Sequence, residues 1–471
     1  MRDIIDKIAV NLALYDIRTL IAKSGELFII NKRRYADYSI GTIPDQLLAV
    51  DGDTALIPLQ ECSAKRGGKT IYYLVHCFYP FSQGGTERFI YNMALQAKSD
   101  GNHVKVITYN ALKSRSHFKN KIGGILFNEY QIDGLDVVEY RHKRAPRGIL
   151  KDIIADDQEV HEFAQFLFKR ERPDIVHAGY IQKVSSFLAA CRKNGIPYGI
   201  TLTSFYSVCH YDIMIDGKGG LCSGSDKGAK CRRVCGCLDV RDTFKRYSTM
   251  HELLQDAAFL AAPSIFVKQM VEKEFADIDI QVINHGVSRE FMTTSVGTMV
   301  NREKIRNFAY LGTLSLIKGV HGLITAFKEL PSEFHLNIYG SGDEAYIRKI
   351  RKLIRGRDNI SLCGSVKYNE ISKAYADNDV IIVPSIWYET YNFVIHEALL
   401  MNRIVIAARI GAMPERIKDG INGFTFTPGD WSDLRKSLYK ALHMDLKPDD
   451  GGSEKINAVE SEFDQYNRLY R

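Results

Sequence analysis

The sequence lacks any long apolar run, which limits what kind of protein it can encode. Its best hydrophobic stretches, such as Val380 to Pro384, are far shorter than the roughly 18 residues of a membrane span. The N-terminal stretch MRDIIDKIAV carries charges throughout and has no apolar segment of a secretory signal. We therefore expect a cytoplasmic protein whose closest association with a membrane is peripheral contact with the inner face.

A strong excess of charge of one sign is also missing. The 471 residues carry a formal net charge of +7, with 45% hydrophobic and 25% charged residues. Such a charge permits attraction to anionic lipid or to an acidic acceptor, but it gives no indication of nucleic-acid binding. The length corresponds to about two or three globular domains, each able to bury its own core.

What the sequence does contain is strand and helix alternation, which is typical of parallel, doubly wound sheets. The alternation occurs twice and is interrupted by a polar stretch from Ser288 to Arg306. We predict a first domain over residues 69–290 and a second over 303–455. Residues 1–68 form an N-terminal extension of unassigned role, and residues 456–471 form a helix expected to pack back on the first domain.

The predicted strands set the frame in which the motifs are placed. In the first domain they are Ile71–Cys77, His103–Thr108, Leu135–Tyr140, Asp174–Ala178, Tyr198–Leu202, Ala257–Ala261 and Gln281–Asn284. In the second they are Phe308–Gly312, His335–Tyr339, Ile360–Cys363, Val380–Pro384, Arg403–Ala408 and Gly423–Phe426. A helix with Thr86 as its N-cap follows the first strand. Because open parallel sheets bind ligands beyond the carboxyl ends of their strands, two such sheets facing each other would enclose a ligand.

The strongest local signal is a pair of carboxylates, Glu389 and Glu397, that follows a predicted buried strand. A helix starting near Tyr391 would aim free backbone N–H groups at a diphosphate. The two carboxylates would then accept hydrogen bonds from vicinal hydroxyls, one from a sugar and the other from a ribose. The alternative is structural: a helix-start glutamate favoured by the helix dipole, followed by a solvated one.

This pattern resembles the retaining glycosyltransferases of family 4, which have the GT-B fold of two Rossmann-like domains facing across a cleft. In that family a glutamate, seven further residues and a second glutamate followed by alanine lie near the C-terminus. Further matches occur in the same order over about residues 70 to 430. They are Gly84-Gly85-Thr86-Glu87, Pro173 to His177, Asn284 to Val287, Lys318-Gly319, Gly340 to Gly342, Gly364 to Val366, Gly411 to Glu415 and Asn422-Gly423.

The resemblance implies a role for each of several residues. Lys318 should neutralise the donor diphosphate, Glu389 should hold the transferred sugar, and Glu397 should hold the ribose. His177 either faces the acceptor or is a core histidine. We include it as a catalytic candidate together with Glu389 and Lys318. The expected donor-binding set is Gly84, Gly85, Thr313, Lys318, Gly340, Gly364, Ser365, Glu389, Tyr391, Asn392, Phe393 and Glu397.

Two positions depart from the family pattern. Thr313 stands where the family usually has an arginine, so donor affinity is lower or another cation substitutes. Thr203-Ser204 stands where the family often has a His-Asp pair, which puts the acceptor side of the mechanism in doubt. The two Asp-x-Asp sequences, at Asp51 and Asp377, are read as structural. We therefore expect no metal cofactor in catalysis.

Five of the nine cysteines cluster in an insertion, residues 209–237, directly after a predicted first-domain strand. They are Cys209, Cys222, Cys231, Cys235 and Cys237. Their spacing matches no standard ligand set, so a structural metal, disulfides and free thiols all stay open. We predict a metal bridge that includes Cys231 and Cys235. The basic residues Lys230, Arg232 and Arg233 would attract an anionic acceptor such as a lipid-linked phosphate.

The expected function is transfer of a sugar from a UDP- or GDP-sugar to a glycan or lipid-linked acceptor, with retention of the anomeric configuration. Two other classes stay open. One is a non-catalytic module that binds a sugar nucleotide or glycan, and the other is a GT-B isomerase that acts on a sugar nucleotide.

Overall fold

The structure is a computed structural model. It describes residues 68–82, 84–110, 117–144, 155–235, 240–288, 291, 305–367, 370–443 and 458–470. The N-terminal extension up to residue 67, Asp51 and Cys237 lie outside these residues.

The first half of the chain folds around one sheet. Within the described residues its nine strands have the order β3-β4-β5-β2-β1-β6-β7-β8-β9. They are β1 (Thr70–Val75), β2 (His103–Tyr109), β3 (Asn120–Ile122), β4 (Ile125–Ile132), β5 (Leu135–His142), β6 (Ile175–Ala178), β7 (Tyr198–Thr201), β8 (Phe259–Ala262) and β9 (Gln281–Val282). The central β1 is apolar from Ile71 to Val75, and these residues are fully buried because helices cover both faces of the sheet.

Strands β3 and β4 were not predicted. They extend the parallel sheet with antiparallel pairings, β4 against β5 and β3 against β4. The turn between β4 and β5 is Asp133-Gly134, and both residues have positive φ, 49° and 75°. An Asp-Gly pair is a strong hairpin signal because a two-residue turn of this type needs positive φ at both positions. The sequence therefore carried the evidence for this hairpin.

The second half of the chain forms a six-stranded parallel sheet among the described residues, with the order β12-β11-β10-β13-β14-β15. Its strands are β10 (Asn307–Leu311), β11 (His335–Tyr339), β12 (Ile360–Gly364), β13 (Val380–Val383), β14 (Ile404–Ala408) and β15 (Gly423–Phe426). All six agree with the predicted strands to within one residue at each end. The two sheets confirm the prediction of two sheets made from the repeated strand and helix alternation.

Eleven α-helices connect or cover these strands in the described part of the chain. They are α1 (Gly85–Ser99), α2 (Gln158–Arg170), α3 (Ser185–Lys193), α4 (Val240–Gln255), α5 (Ile265–Glu274), α6 (Val320–Phe327), α7 (Glu344–Ile354), α8 (Ile371–Ala376), α9 (Phe393–Leu400), α10 (Trp431–His443) and α11 (Val459–Leu469). Helix α1 has Gly84 rather than the predicted Thr86 as its N-cap. None of the described helices combines the length and hydrophobicity that crossing a membrane requires.

The C-terminal helix α11 packs on the first domain although it follows the second in sequence. Phe463 and Tyr466 are fully buried in the same apolar cluster as residues of β1 and α1. Glu462 accepts hydrogen bonds from His285 Nδ1 at 2.8 Å and from the Gly286 N–H at 2.7 Å. The chain therefore crosses between the domains twice, once near residue 287 and once before α11.

We expect Phe463→Ala to destabilise the protein by about 3–5 kcal/mol, because it would leave a cavity between α11 and the first sheet. Asp464→Ala is the matched control on the exposed face of the same helix, with an expected change within about 0.5 kcal/mol. Urea unfolding followed by circular dichroism measures both variants. Equal stabilities would show that α11 does not contribute to the core.

Candidate active site

Each sheet has one place where its strand order reverses. In the first sheet this place lies between β1 and β6, and in the second between β10 and β13. Loops that follow such a pair of strands diverge to opposite faces of the sheet and leave a crevice at its carboxyl edge. The residues that follow β10 and β13 include Lys318 and Glu389, so the topology brings together two residues that are 71 positions apart.

Lys318 and Glu389 form a direct ion pair in this crevice. Lys318 Nζ lies 2.7 Å from Glu389 Oε1, and the ammonium also lies 5.2 Å from the ring centre of Trp387. The same carboxylate oxygen accepts hydrogen bonds from Ser385 Oγ at 2.6 Å and from Trp387 Nε1 at 3.0 Å. Sequence analysis missed Ser385 and Trp387, although both lie within four residues of Glu389.

Two glycines allow the loops that carry this pair to approach closely. Gly319 has a φ of 72°, and a Cβ there would come within 1.9 Å of the Pro384 carbonyl oxygen. Gly411 has a φ of 62°, and its Cβ would lie 2.5 Å from the backbone nitrogen and oxygen of Glu389. Any other residue would therefore clash as well as adopt a strained backbone. The glycines fix the position of Lys318 relative to Glu389.

The environment of Glu389 favours its ionised form. Burial alone would raise the pKa of this carboxyl group, but the charge of Lys318 and the hydrogen bonds from Lys318, Ser385 and Trp387 outweigh burial. The pKa of Glu389 therefore lies below its usual value, and the group carries a negative charge at neutral pH. A buried acceptor of this kind can bind the hydroxyl groups of a sugar.

The second glutamate, Glu397, pairs with a cation from the opposite domain. The Arg88 guanidinium of α1 contacts Glu397 Oε1, and the Tyr375 hydroxyl donates to Glu397 Oε2 at 2.6 Å. Glu397 is only 1% exposed, so its charge is buried together with that of Arg88. Arg88 also lies 4.8 Å from the ring centre of Phe393. Sequence analysis missed Arg88, although it directly follows the glycine motif at the start of α1.

The starts of helices α1 and α9 face each other. Gly84 and Gly85 are exposed, and a Cβ on Gly85 would lie 3.5 Å from the Phe393 ring. Helix α9 begins at Phe393, two residues later than predicted, and Asn392 is its N-cap, with its side chain accepting from the Ile395 N–H at 3.3 Å. The first N–H groups of both helices lack intrahelical acceptors and carry positive dipole ends. An anion between the domains would meet both.

The side chain of Tyr391 is not available to a donor. It is buried, and its hydroxyl donates to the His285 carbonyl at 2.5 Å. The Arg416 guanidinium lies 3.9 Å from its ring centre on the other side. The Tyr391 side chain therefore joins the second domain to the connection near residue 285, and the predicted donor contact at this position falls to its backbone.

The catalytic assignment of His177 is also corrected. His177 is fully buried on β6, with Nδ1 2.6 Å from the Tyr470 hydroxyl and Nε2 2.7 Å from Thr201 Oγ1. Burial and the nearby charge of His285 lower its pKa to about 3, so the ring stays neutral. Of the two interpretations left open by the sequence, the structure supports a core histidine that joins β6 to the C-terminal segment.

Four further residues of the predicted donor-binding set lie at the carboxyl edge of the second sheet. Thr313, Gly364 and Ser365 are exposed there, and Gly340 is partly buried beside them. The N–H of Gly340 donates to the Gly364 carbonyl at 2.7 Å, which holds two of these loops together. The Thr313 carbonyl accepts from the Tyr310 hydroxyl at 2.7 Å, so its backbone is anchored while its side chain faces solvent.

Four of the five cysteines of the insertion lie within the described residues. Cys209, Cys222 and Cys231 are buried, and Cys235 is partly exposed. Among the described residues, the group of three potential metal ligands within reach of one ion is His142, Asp157 and Glu159 rather than any set of cysteines. Cys209 and Cys222 pack in the apolar core of the first domain, which anchors this part of the insertion. Cys237 lies outside the described residues, so the bridge that includes Cys231 and Cys235 stays a prediction.

Sequence comparison assigns both halves of this cleft to glycosyltransferase families. Residues 83–291 match the family described as Glycosyltransferase Family 4. Residues 305–444 match the family described as Glycosyl transferases group 1. Both matches are to glycosyltransferases, and together they span most of the described residues. The first match contains Arg88, and the second contains Lys318, Glu389 and Glu397.

Individual relatives are more distant. The chain is 29% identical over 174 residues to sulfoquinovosyl transferase SQD2 of Arabidopsis thaliana, a match that covers 35% of this chain and 33% of the plant protein. It is 28% identical over 192 residues to lipopolysaccharide 1,2-N-acetylglucosaminetransferase of Salmonella typhimurium, covering 37% of this chain and 50% of that protein. The chain thus spans between a third and a half of the length of these curated relatives.

Solved structures share the fold over most of the chain. A glycosyltransferase from Rickettsia africae superposes with a TM-score of 0.60 at 19% identity, covering 86% of this chain and 98% of that one. HepE of Anabaena, solved in complex with UDP and glucose, gives a TM-score of 0.58 at 16% identity, covering 85% and 98%. At such identities the likeness establishes the GT-B fold alone.

The ion pair at Glu389 gives a prediction about pH. The sequence has two tryptophans, so in a Trp431→Phe background the fluorescence reports on Trp387, which donates to Glu389. We expect acid to change the emission only below the usual glutamate pKa of about 4.3. Because the folded pKa is lowered, the pair stabilises the protein above the unfolded pKa, and this stabilisation is lost as the pH falls through the folded pKa.

Lys318→Met in the same background should move the fluorescence midpoint upward past the usual glutamate range, because burial then dominates the pKa of Glu389. Lys352→Met, at an exposed lysine of α7, is the matched control and should leave the midpoint in place. An unchanged midpoint in Lys318→Met would show that the lysine does not set the ionisation of Glu389.

Proposed function

We propose that this protein transfers a sugar from a nucleotide-diphosphate donor to an acceptor hydroxyl, with retention of the anomeric configuration. The observation that supports this most directly is the Lys318–Glu389 pair, which lies where the second sheet reverses its strand order. A carboxylate for sugar hydroxyls thus lies beside a cation for the diphosphate. The glycine start of α1 approaches from the other domain.

The donor-binding roles follow from this arrangement. The diphosphate contacts Lys318 and the N–H groups at the starts of α1 and α9, while the transferred sugar binds Glu389. The base lies along the exposed loop at Gly364 and Ser365, close to Gly340 and Thr313. Ribose hydroxyls bind Glu397 and take the place of Arg88 on its carboxylate. The released guanidinium can then supply positive charge to the diphosphate, in place of the arginine that the family usually has at position 313.

The same contacts support a front-face displacement. Bond cleavage transfers negative charge to the departing diphosphate, and the Lys318 ammonium and helix dipoles are already oriented toward that charge. Glu389 Oε1 accepts from three donors, which disperses its charge and makes it a weak nucleophile. The donor phosphate therefore takes the acceptor proton as the new bond forms on the face that the leaving group vacates, which retains configuration.

The donor is a UDP- or GDP-sugar, and UDP is the first choice because HepE of Anabaena was solved with UDP and glucose. The acceptor is a glycan or a lipid-linked sugar. The name of the Salmonella relative, a lipopolysaccharide N-acetylglucosaminetransferase, supports an acceptor attached to lipid. Such an acceptor would bring the protein to a membrane surface peripherally.

A thermal-shift screen over nucleotide sugars identifies the donor, because tight ligands stabilise the folded state by mass action. Proton NMR of the reaction with the selected donor then shows the anomeric configuration of the product. Transfer with retention supports the proposal, and an inverted product refutes the mechanism. Binding without transfer or hydrolysis would favour a sugar-nucleotide-binding module, and an altered sugar nucleotide formed without acceptor would favour an isomerase.

Lys318→Ala should reduce kcat more than donor affinity, because its charge matters most when the diphosphate departs. We expect a loss of about 100-fold or more in kcat, comparable to removal of one donor of an oxyanion site. Donor Kd from calorimetry should change less than kcat does. Lys352→Ala is the exposed control, and equal losses in kcat and affinity would contradict the role.

Activity should persist after treatment with EDTA, since Lys318 and the helix starts stabilise the leaving group. The measurement is the initial rate before and after chelation, followed by addition of Mg²⁺ or Mn²⁺. A rate that falls on chelation and returns with the added ion would show that catalysis needs a divalent metal.

A further inference from the structure

The first domain carries a second polar cluster that the donor-binding roles do not use. It consists of His76, Tyr180, Gln182 and Asp212. His76 directly follows β1, Tyr180 and Gln182 follow β6, and Asp212 lies beyond the end of β7. These three strands are neighbours in the sheet, so their carboxyl ends bring the four side chains to one edge. This edge contains the reversal of strand order between β1 and β6.

Close contacts join the members of this cluster. The His76 ring stacks on the Tyr180 ring with centroids 3.9 Å apart. The Tyr180 hydroxyl contacts Asp212 Oδ2 and lies 3.0 Å from Gln182 Oε1. One hydroxyl hydrogen cannot serve two acceptors. A 180° rotation of the Gln182 amide resolves this, because the amide nitrogen then donates to Tyr180 and Tyr180 donates to Asp212.

Each of three side chains keeps one buried polar atom without a hydrogen-bond partner. In the described part of the chain these atoms are His76 Nδ1, Gln182 Nε2 and Asp212 Oδ1. If the Gln182 amide is rotated, its oxygen rather than its nitrogen lacks a hydrogen-bond partner. The cluster therefore contains three unpaired buried atoms in both amide orientations. An unsatisfied buried polar group costs about 1–3 kcal/mol. Gln182 is only 3% exposed, so bulk water does not reach its amide. Three such atoms in one cluster indicate a site that a polar ligand completes.

The cluster lies next to the loop that carries Glu389. The Thr390 hydroxyl donates to the Thr203 carbonyl at 2.9 Å, and Thr203 Oγ1 accepts from Thr86 Oγ1 at 2.9 Å. The neighbouring Ser204 hydroxyl and the Phe205 N–H face the Asp212 carboxylate. The sequence Thr203-Ser204 therefore connects the proposed sugar carboxylate in one domain to Asp212 in the other. A group bound at Asp212 would lie on the acceptor side of the transferred sugar.

The charges around the cluster select against an anionic ligand. Glu87 is buried, with Oε1 4.0 Å from His76 Nε2, and it adds a second carboxylate to that of Asp212. Lys183 is the nearby cation that acts on His76. Burial raises the pKa of Asp212 to about 7, and it lowers the pKa of His76. A neutral imidazole and a carboxyl group that changes protonation near neutral pH can both donate to and accept from hydroxyl groups.

We propose that His76, Gln182 and Asp212 bind the hydroxyl groups of a neutral sugar residue of the acceptor, an assignment that rests on the proposed transfer reaction. Gln182 and Asp212 hold two hydroxyls of that residue, and His76 holds a third polar group while its ring stacks on Tyr180. The phosphate or lipid of a larger acceptor then lies outside this site. Its attraction to Lys230, Arg232 and Arg233 remains a separate prediction.

The test separates acceptor binding from donor binding. The variants are Asp212→Asn and Gln182→Met, which keep side-chain size while removing a charge or an amide. The matched controls are Asp136→Asn and Gln131→Met, because Gln131 Nε2 donates to Asp136 Oδ1 at 2.7 Å at the start of β5, on the edge of the sheet away from the cleft. Thermal melting of all four variants establishes that they are folded.

Two readouts follow, with UDP-glucose as the donor or whichever sugar nucleotide gives the largest thermal shift. The first is the KM for neutral methyl glycosides in the transfer assay. The second is saturation-transfer NMR of the same glycosides with the nucleotide-loaded protein. We expect both site variants to raise the acceptor KM about ten-fold or more and to lose the NMR signal. Donor Kd by calorimetry should stay within two-fold, as should every value for the controls.

An unchanged acceptor KM in both site variants would overturn the acceptor site while leaving the transfer reaction in place. A wild-type preference for sugar phosphates over neutral glycosides at this site, lost in the variants, would overturn the neutral-ligand assignment. Absence of transfer and of donor hydrolysis in the wild type would refute the proposed function itself. Glycoside binding that Gln182→Met abolishes would still support the site in that case.

Discussion

The ion pair between Lys318 and Glu389 is the interaction around which the second domain is arranged. Glu389 lies in a loop and Lys318 ends the short 3₁₀ turn Leu316–Lys318, so short connecting segments hold both. The reversal of strand order between β10 and β13 brings the two loops together, and glycines at 319 and 411 allow the necessary close backbone contacts. A buried carboxylate is costly to assemble beside a partly exposed ammonium alone, without additional donors. Ser385 and Trp387 supply them.

The second glutamate extends this arrangement across the cleft. Glu397 pairs with Arg88 of the first domain, and Thr390 donates to Thr203 of the same domain. The Glu415 carboxylate also accepts from the N–H groups of Ile265 and Phe266 at the start of α5, at 3.1 and 2.7 Å. These polar contacts, together with the packing of Tyr388 against Phe205 and Phe266, hold the domains in the observed arrangement. A ligand that competes with Arg88 for Glu397 would break one of these contacts between the domains.

Much of the fold was predictable because burial on both faces gives the parallel strands continuous apolar runs. Glu389, Glu397 and Lys318 were identifiable because the motif fixes their sequence context. Their partners were not. Arg88 reaches Glu397 across 309 positions, and no local pattern encodes such a pairing. The two interpretations of His177 differ in whether its ring nitrogens already have hydrogen-bond partners. The C-terminal residue Tyr470 supplies one of these partners. The cysteine spacing could not distinguish a bridged cluster from buried thiols, because buried thiols also pack as small apolar side chains.

The most direct test of this account is a crystal structure of the protein with the nucleoside diphosphate that stabilises it most. The account predicts the diphosphate between Lys318 and the facing starts of α1 and α9. It also predicts ribose hydroxyls on Glu397, with Arg88 displaced toward the phosphates. A nucleotide bound elsewhere, or one bound in the cleft with the Arg88–Glu397 pair intact and no contact to Lys318, would contradict the account.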